Sequence, residues 1–115
     1  VTDYAFDEYQ AETKATAIYP EQGTGSITAL MYVGLGLGEA GEIQGKIKKI
    51  LRDGGGVTDP GVRYALSKEL GDLMWYVSQA ATELDLSLGQ IAKGNIEKLR
   101  DRQDRGVLTG NGDDR

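Results

Sequence analysis

The chain has 115 residues, a formal net charge of −5, a sequence pI of about 4.7, and neither cysteine nor histidine. That length suits one domain, since single domains cluster at roughly 100–150 residues. The missing residue types exclude disulfides, thiolate or imidazole zinc sites and any Ser-His or Cys-His nucleophile pair. A metal must therefore be a hard cation held by oxygens, and proton transfer falls to carboxylates, lysines or tyrosines.

Taken in chain order, the start VTDYAFDEYQ is acidic and lacks the basic and apolar regions of a signal peptide. A first helix is expected from about Phe6 to Ile18, with Phe6, Tyr9 and Thr13 on one face and the stretch YPEQGTG ending it. Ser26 is placed to cap a long second helix reaching about Arg52, whose apolar positions Leu30, Val33, Leu37, Ala40, Ile47 and Leu51 keep helical spacing. The loop DGGGVTDPG breaks it. Pro60 suits the first turn of a third helix that carries Leu66, Leu70, Leu73, Val77, Ala81 and Leu84. Ser87 followed by Gln90 is a capping-box pattern opening a fourth helix, with Leu88, Ile91, Ile96 and Leu99, that ends near Arg105. The tail from 106 to 115 reads as loop. No strand pattern competes, so the expected fold is all-α: one domain over residues 1–115, a bundle of about four helices completed by oligomerisation. The longest uncharged run, Gln22 to Gly38, contains five glycines and falls short of the roughly 20 apolar residues of a membrane span. The acidic balance also argues against a nucleic-acid polymer as partner. A cytoplasmic setting without a membrane partner follows.

Glycine, at 17 residues, is about twice as frequent as its usual share of ~7%. Those in DGGG, DPG and the tail suit turns. Gly34, Gly38, Gly41 and Gly45 fall within about 60° of one another on the second helix. Each costs up to about 1 kcal/mol relative to alanine, so close approach of another backbone is expected there, from the third or fourth helix or from a second subunit.

The chemistry concentrates in two acidic pairs. GEAGE sets Glu39 and Glu42 about 60° apart on one helix, and KELGD repeats the spacing with Glu69 and Asp72 on the next. Each pair borders its helix's apolar stripe, so packing the two stripes together brings the carboxylates toward one cleft. Taken singly, such pairs are usually solvated faces, with Glu42 bridged to Lys46 and Glu69 to a basic neighbour. Two on consecutive helices beside the core point instead to a Mg²⁺ or Mn²⁺ site that shares its shell with a phosphorylated ligand. Lys46 and Lys49 follow the first pair, and Asn95, Lys98 and Arg102 form a polar face on the fourth helix, the cationic complement that a polyphosphate needs. Trp75 is assigned to the core, and Tyr76 stays open between core and base stacking.

The segments GLGLGEAGEIQGKIKK (Gly34 to Lys49), KELGDLMWYVSQAATELDLSL (Lys68 to Leu88) and NIEKLRDRQDRGVLTGNGDDR (Asn95 to Arg115) together resemble the all-α nucleoside triphosphate pyrophosphatases, in particular the short MazG-like proteins of bacteria and phages. The resemblance covers most of the chain from about Thr28, and YQAETKATA is similar to the family's first helix. It implies that an EExxE motif and the following ExxD motif hold magnesium ions, which makes Glu39, Glu42, Glu69 and Asp72 the ligands. Gly38 stands where many members have the first Glu. It also implies Lys46, Lys49, Asn95, Lys98 and Arg102 as substrate-facing residues, and assembly as a homodimer or homotetramer. The expected reaction is hydrolysis of a nucleoside or deoxynucleoside triphosphate to the monophosphate and pyrophosphate. With no histidine, Glu39 or Glu42 is the expected proton acceptor. The alternatives are a related all-α pyrophosphatase acting on dUTP or phosphoribosyl-ATP, and a non-catalytic helical assembly module whose carboxylates pair with lysines.

Overall fold

The computed structural model describes residues 5–53 and 60–115. The expected turn glycines Gly54 to Gly56 and the first four residues of the N-terminal segment lie outside that range. The described residues form helices and no strands: α1 (Phe6–Thr13), extended by a 3₁₀ turn (Lys14–Thr16), α2 (Ile27–Leu37), α3 (Ala40–Arg52), α4 (Pro60–Glu83) and α5 (Leu88–Asp104). The all-α fold expected from the periodicity is the one the chain adopts. No helix among the described residues is long and apolar enough to cross a membrane.

The helix starts follow the capping residues. Ser26 Oγ accepts from the Ala29 amide at 3.2 Å, and Ser87 Oγ accepts from the Gln90 amide at 3.1 Å, each satisfying an amide that has no partner within its helix. Two boundaries differ: the first helix gives way to its 3₁₀ turn and stops at Thr16, short of Ile18, and the long second helix is divided. It is broken into α2 and α3 at Gly38 and Glu39, where bonds tighten to the i→i+3 pattern: Gly38 N to Leu35 O, Glu39 N to Gly36 O, Gly41 N to Gly38 O and Glu42 N to Glu39 O. A run with glycine at 34, 36 and 38 holds an α-helix weakly, and the tighter turn carries Glu39 to the start of α3.

The glycine stripe also resolves differently from the close packing expected within the chain. A Cβ at Gly34, Gly41 or Gly45 would meet open space, and at Gly38 only the local Leu35 carbonyl. The close approach is at Gly36, where a methyl group would overlap the Tyr76 ring. This is where α2 and α4 pack, and α4 is the central helix, touching α1, α2, α3 and α5.

The interior is small and largely polar. Ala17, Ala29, Val33, Ala81 and Leu88 are its buried apolar residues, beside buried Gln10, Thr13, Ser78, Gln79, Glu83 and Arg102. These polar groups are joined: Thr13 Oγ1 donates to Gln79 Oε1 and bonds Ser78 Oγ, while Gln10 accepts from the Leu88 amide and donates to the Leu86 carbonyl. Bonded in this way, Gln10, Thr13, Ser78 and Gln79 tie α1 to α4 and to the start of α5, and the bonds offset the cost of burying them. Much of the apolar periodicity stays outside: Ile27, Met31 and Leu35 of α2, Leu70, Met74 and Val77 of α4, and Ile91, Ile96 and Leu99 of α5 are exposed. The accessible surface is 8235 Å², against about 6100 Å² for a compact monomer of this mass. The radius of gyration is 16.9 Å, against about 13 Å for a compact domain of this length.

Candidate active site

The turn between α2 and α3 delivers Glu39 opposite α4, where it shares a cleft of about 380 Å³ with Thr16, Asp72, Trp75 and Tyr76. The Tyr76 ring seats over Gly36, and the same side chain lines the cleft beside Glu39. Burial pushes the Tyr76 phenol above its ordinary value, and the charges of Glu39, Asp72 and Glu42 push it further. Asp72 has the same effect on Tyr9, after burial. Of the expected carboxylates, Glu39 and Asp72 line the cleft with the Tyr76 hydroxyl, and Glu42 reaches it only through its charge. None of the salt bridges among the described residues involves Glu39, Glu42 or Asp72.

The fourth carboxylate is held differently. Lys46 Nζ lies 2.7 Å from Glu69 Oε1, with the carboxylate side chain 18% exposed. Lys46 thus crosses from α3 to α4 instead of bridging Glu42 on its own helix. Lys46 and Lys49 border a separate cavity with Ile50, Val62, Ala65 and Leu66. Oxygen donors carrying uncompensated charge fit a hard divalent cation in chemistry. Among the described residues, however, no three acidic groups are drawn together as a ligand cluster.

A second cavity of about 330 Å³ adjoins the acidic cleft and shares Trp75 and Tyr76 with it; its other walls are Ile18, Tyr19, Pro20 and Tyr32. Trp75 is packed edge-on against Tyr19 (6.3 Å between centroids) and Tyr76 (5.2 Å), and its Nε1 donates to Thr16 Oγ1 at 2.8 Å. The assignment of Trp75 to the core is thereby corrected. It is half-buried and forms part of both cavity walls, because three residues after Asp72 it shares that residue's helix face.

The loop bearing Tyr19 and Pro20 is fastened to the end of α4 by Glu83. Glu83 is 5% exposed. Its Oε2 accepts from the Tyr19 hydroxyl at 2.5 Å and the Gly23 amide at 2.7 Å, and its Oε1 accepts from the Gly25 amide at 2.8 Å. Burial pushes the Glu83 carboxyl up, but these three donors more than offset it and leave the group below its ordinary 4.5. Tyr19 is pushed up to about 12, first by burial and then by its bond to Glu83, against the opposing bond from Gln79.

The cations of α5 lie elsewhere. Arg102 is buried, its Nη2 donates to the Asp113 carbonyl at 2.5 Å, and its Nε has no hydrogen-bond partner. Lys98 Nζ stands 3.6 Å from the Asp113 carboxylate, and Asn95 is exposed. The tail closes on itself through Arg115, which donates to the carbonyls of Val107, Leu108 and Gly112, and it is held to the end of α5 by Arg102 and Arg105, which donate to the Asp113 and Arg115 carbonyls.

Residues 28–107 match the MazG nucleotide pyrophosphohydrolase domain. The chain belongs to the MazG family. It is 52% identical over 111 residues to the gene 37 protein of Mycobacterium phage L5, covering 95% of this chain and 97% of that one. No solved structure matches it.

The MazG match encloses every residue expected from the acidic and basic motifs. It also encloses Tyr32, Trp75, Tyr76 and Glu83. Thr16, Ile18, Tyr19 and Pro20 precede it and were missed, because YPEQGTG was read only as the end of a helix. The motif YPEQG between two helices was a usable signal: an aromatic residue beside a proline in a loop is a candidate wall for a flat ligand.

Proposed function

We propose that this MazG-domain protein hydrolyses a nucleoside or deoxynucleoside triphosphate to the monophosphate and pyrophosphate. The observation that carries the reading is the pair of adjoining cavities, one acidic and one aromatic, that share Trp75 and Tyr76. The triphosphate suits the acidic side and the base suits the aromatic side, where any flat base finds stacking surfaces. Glu39, Glu42, Glu69 and Asp72 would hold Mg²⁺, with Mn²⁺ as a substitute. When bound, such an ion supplies positive charge to the phosphate oxygens and lowers the pKa of a coordinated water.

The protein's own part is positioning and proton transfer. Glu39 or Glu42 accepts the proton of the attacking water, the bridge between the α- and β-phosphoryl groups breaks, and pyrophosphate leaves. Tyr76, which lines the same cleft, is placed to orient Glu39. Lys46 exchanges Glu69 for a phosphate oxygen, and Lys49 adds charge beside it. Asn95, Lys98 and Arg102 lie away from this cleft in their own chain, so they join the substrate-binding set only where assembly brings α5 of one subunit to the cleft of another. The exposed apolar faces of α2, α4 and α5 and the open glycine stripe favour a homodimer or homotetramer, which also buries the surplus surface.

The test is pyrophosphate release from a panel of ribo- and deoxyribonucleoside triphosphates that includes dUTP and phosphoribosyl-ATP, with Mg²⁺ or Mn²⁺. Glu42→Gln and Asp72→Asn serve as controls. Release from at least one compound, lost in both variants, is expected. No turnover on any of them, or turnover unchanged in both variants, would sink the proposal.

A further inference from the structure

Glu83 is a buried carboxylate that the proposed chemistry does not use. We propose that it is a positioning residue for the base-binding side of the cleft, buckling the 19–25 turn onto α4 so that Tyr19 and Pro20 stand as one wall of the aromatic cavity. This rests on reading that cavity as the seat of a nucleotide base.

The geometry supports a carboxylate and no neutral substitute. Three donors converge on its two oxygens: the Tyr19 hydroxyl and the Gly23 amide on Oε2, and the Gly25 amide on Oε1. A glutamine offers one acceptor oxygen and turns an NH₂ donor toward at least one of those donors, leaving a buried pair unsatisfied. The turn's other hydrogen bonds are internal, from the Thr24 amide and hydroxyl to the Glu21 carbonyl and from the Ser26 amide to Thr24 Oγ1, and do not tie it to α4. Glu21, Gly23 and Gly25 all take positive φ (59°, 80° and 70°), a region in which a non-glycine residue such as Glu21 is strained. A Cβ at Gly25 would stand 2.9 Å from the Glu83 carbonyl, so the turn is pressed directly against the helix end.

From Glu83 the constraint reaches the cavity in two steps. Tyr19 is fixed by Glu83 and by Gln79 Nε2, which donates to its hydroxyl at 3.0 Å. The Tyr19 ring then meets Trp75 edge-on, and both line the aromatic cavity with Pro20. None of these contacts touches Glu39, Asp72 or the other residues of the acidic cleft apart from Trp75 itself. Loosening the buckle should therefore cost base affinity and leave the phosphate side intact.

The experiment compares the wild type with Glu83→Gln and Tyr19→Phe. For the best nucleoside triphosphate, Glu83→Gln should raise KM about tenfold with kcat within about twofold, and inhibition by inorganic tripolyphosphate, which has no base, should be unchanged. Tyr19→Phe, which removes one of the three donors and keeps the ring, should move KM in the same direction by less, and it carries the test if Glu83→Gln does not fold. An unchanged KM in a folded variant overturns the proposal, as does a parallel loss of tripolyphosphate inhibition. Two readouts need no turnover. Trp75 is the only tryptophan in the chain, so its emission should shift in both variants without ligand, and the Gly23 and Gly25 amides should lose hydrogen-exchange protection in Glu83→Gln. Unaltered emission and retained protection overturn the buckle. If the wild type turns over no nucleotide, the assigned function fails while these two readouts still judge Glu83.

Discussion

The two sides of the cleft handle negative charge in opposite ways. On the aromatic side, Glu83 is buried and every donor it needs comes from its own chain. On the acidic side, Glu39, Glu42 and Asp72 are half-buried or exposed, and no lysine or arginine among the described residues bridges them. A carboxylate satisfied internally is an anchor. Carboxylates that line one cleft without a paired cation, as Glu39 and Asp72 do, are a place where a ligand supplies the missing charge. Trp75 and Tyr76 stand between the two, so a ligand that engages both sides must touch them.

The largest expected effect that tests this contrast is on activity. Asp72→Asn removes a charge from the acidic side alone and should lower kcat by about 10²–10³-fold, the range typical of losing one electrostatic contributor to a transition state. The fold should be retained by circular dichroism. Next comes ligand-linked stability. Mg²⁺ at a hundred times its dissociation constant should stabilise the wild type by about 2.7 kcal/mol, since it binds the folded state only, and should do markedly less for Asp72→Asn. A melting temperature indifferent to Mg²⁺ would favour a non-catalytic assembly module. Gly36→Ala strikes the seam between the two sides. The added methyl overlaps the Tyr76 ring, so denaturant unfolding should show a loss of about 1–3 kcal/mol, together with reduced activity from a displaced Tyr76.

The smallest effects are in the pH dependence of stability. Glu83 is held below its ordinary 4.5, so its contribution is complete above that pH and is lost as pH falls through the lowered folded value. Glu83→Gln should flatten that acid limb. At the other end, the folded chain keeps the Tyr19 proton between the ordinary 10.0 and about 12. Stability therefore declines as pH rises over that window, and Tyr19→Phe should remove part of the decline. Melting temperatures across pH check both limbs.

Much of this arrangement was legible in the sequence where the physics is local. Ser26 and Ser87 announced their helices because a cap is a contact over three residues. The i+3 spacing of Glu69 and Asp72 correctly placed them on one helix face, and the same rule applied to Asp72 and Trp75 would have placed the tryptophan beside the cleft. The break at Gly38 was hidden, because glycines that loosen a helix and glycines that admit a neighbour look alike until the packing is known. The Glu83 buckle was hidden for another reason: Tyr19 and Glu83 are 64 residues apart, and no periodicity connects a loop tyrosine to the last turn of a distant helix. The solvated-face alternative paired Lys46 with Glu42 along one helix, but packing of α3 against α4 brings it to Glu69.

The most direct test of the central claim follows the phosphorus atoms of one nucleoside triphosphate by ³¹P NMR in the presence of Mg²⁺. Nucleoside monophosphate and pyrophosphate should appear together in equal amounts, with no diphosphate intermediate and no reaction in Asp72→Asn. Nucleoside diphosphate with inorganic phosphate as first products, or the same time course in Asp72→Asn as in the wild type, would contradict that claim.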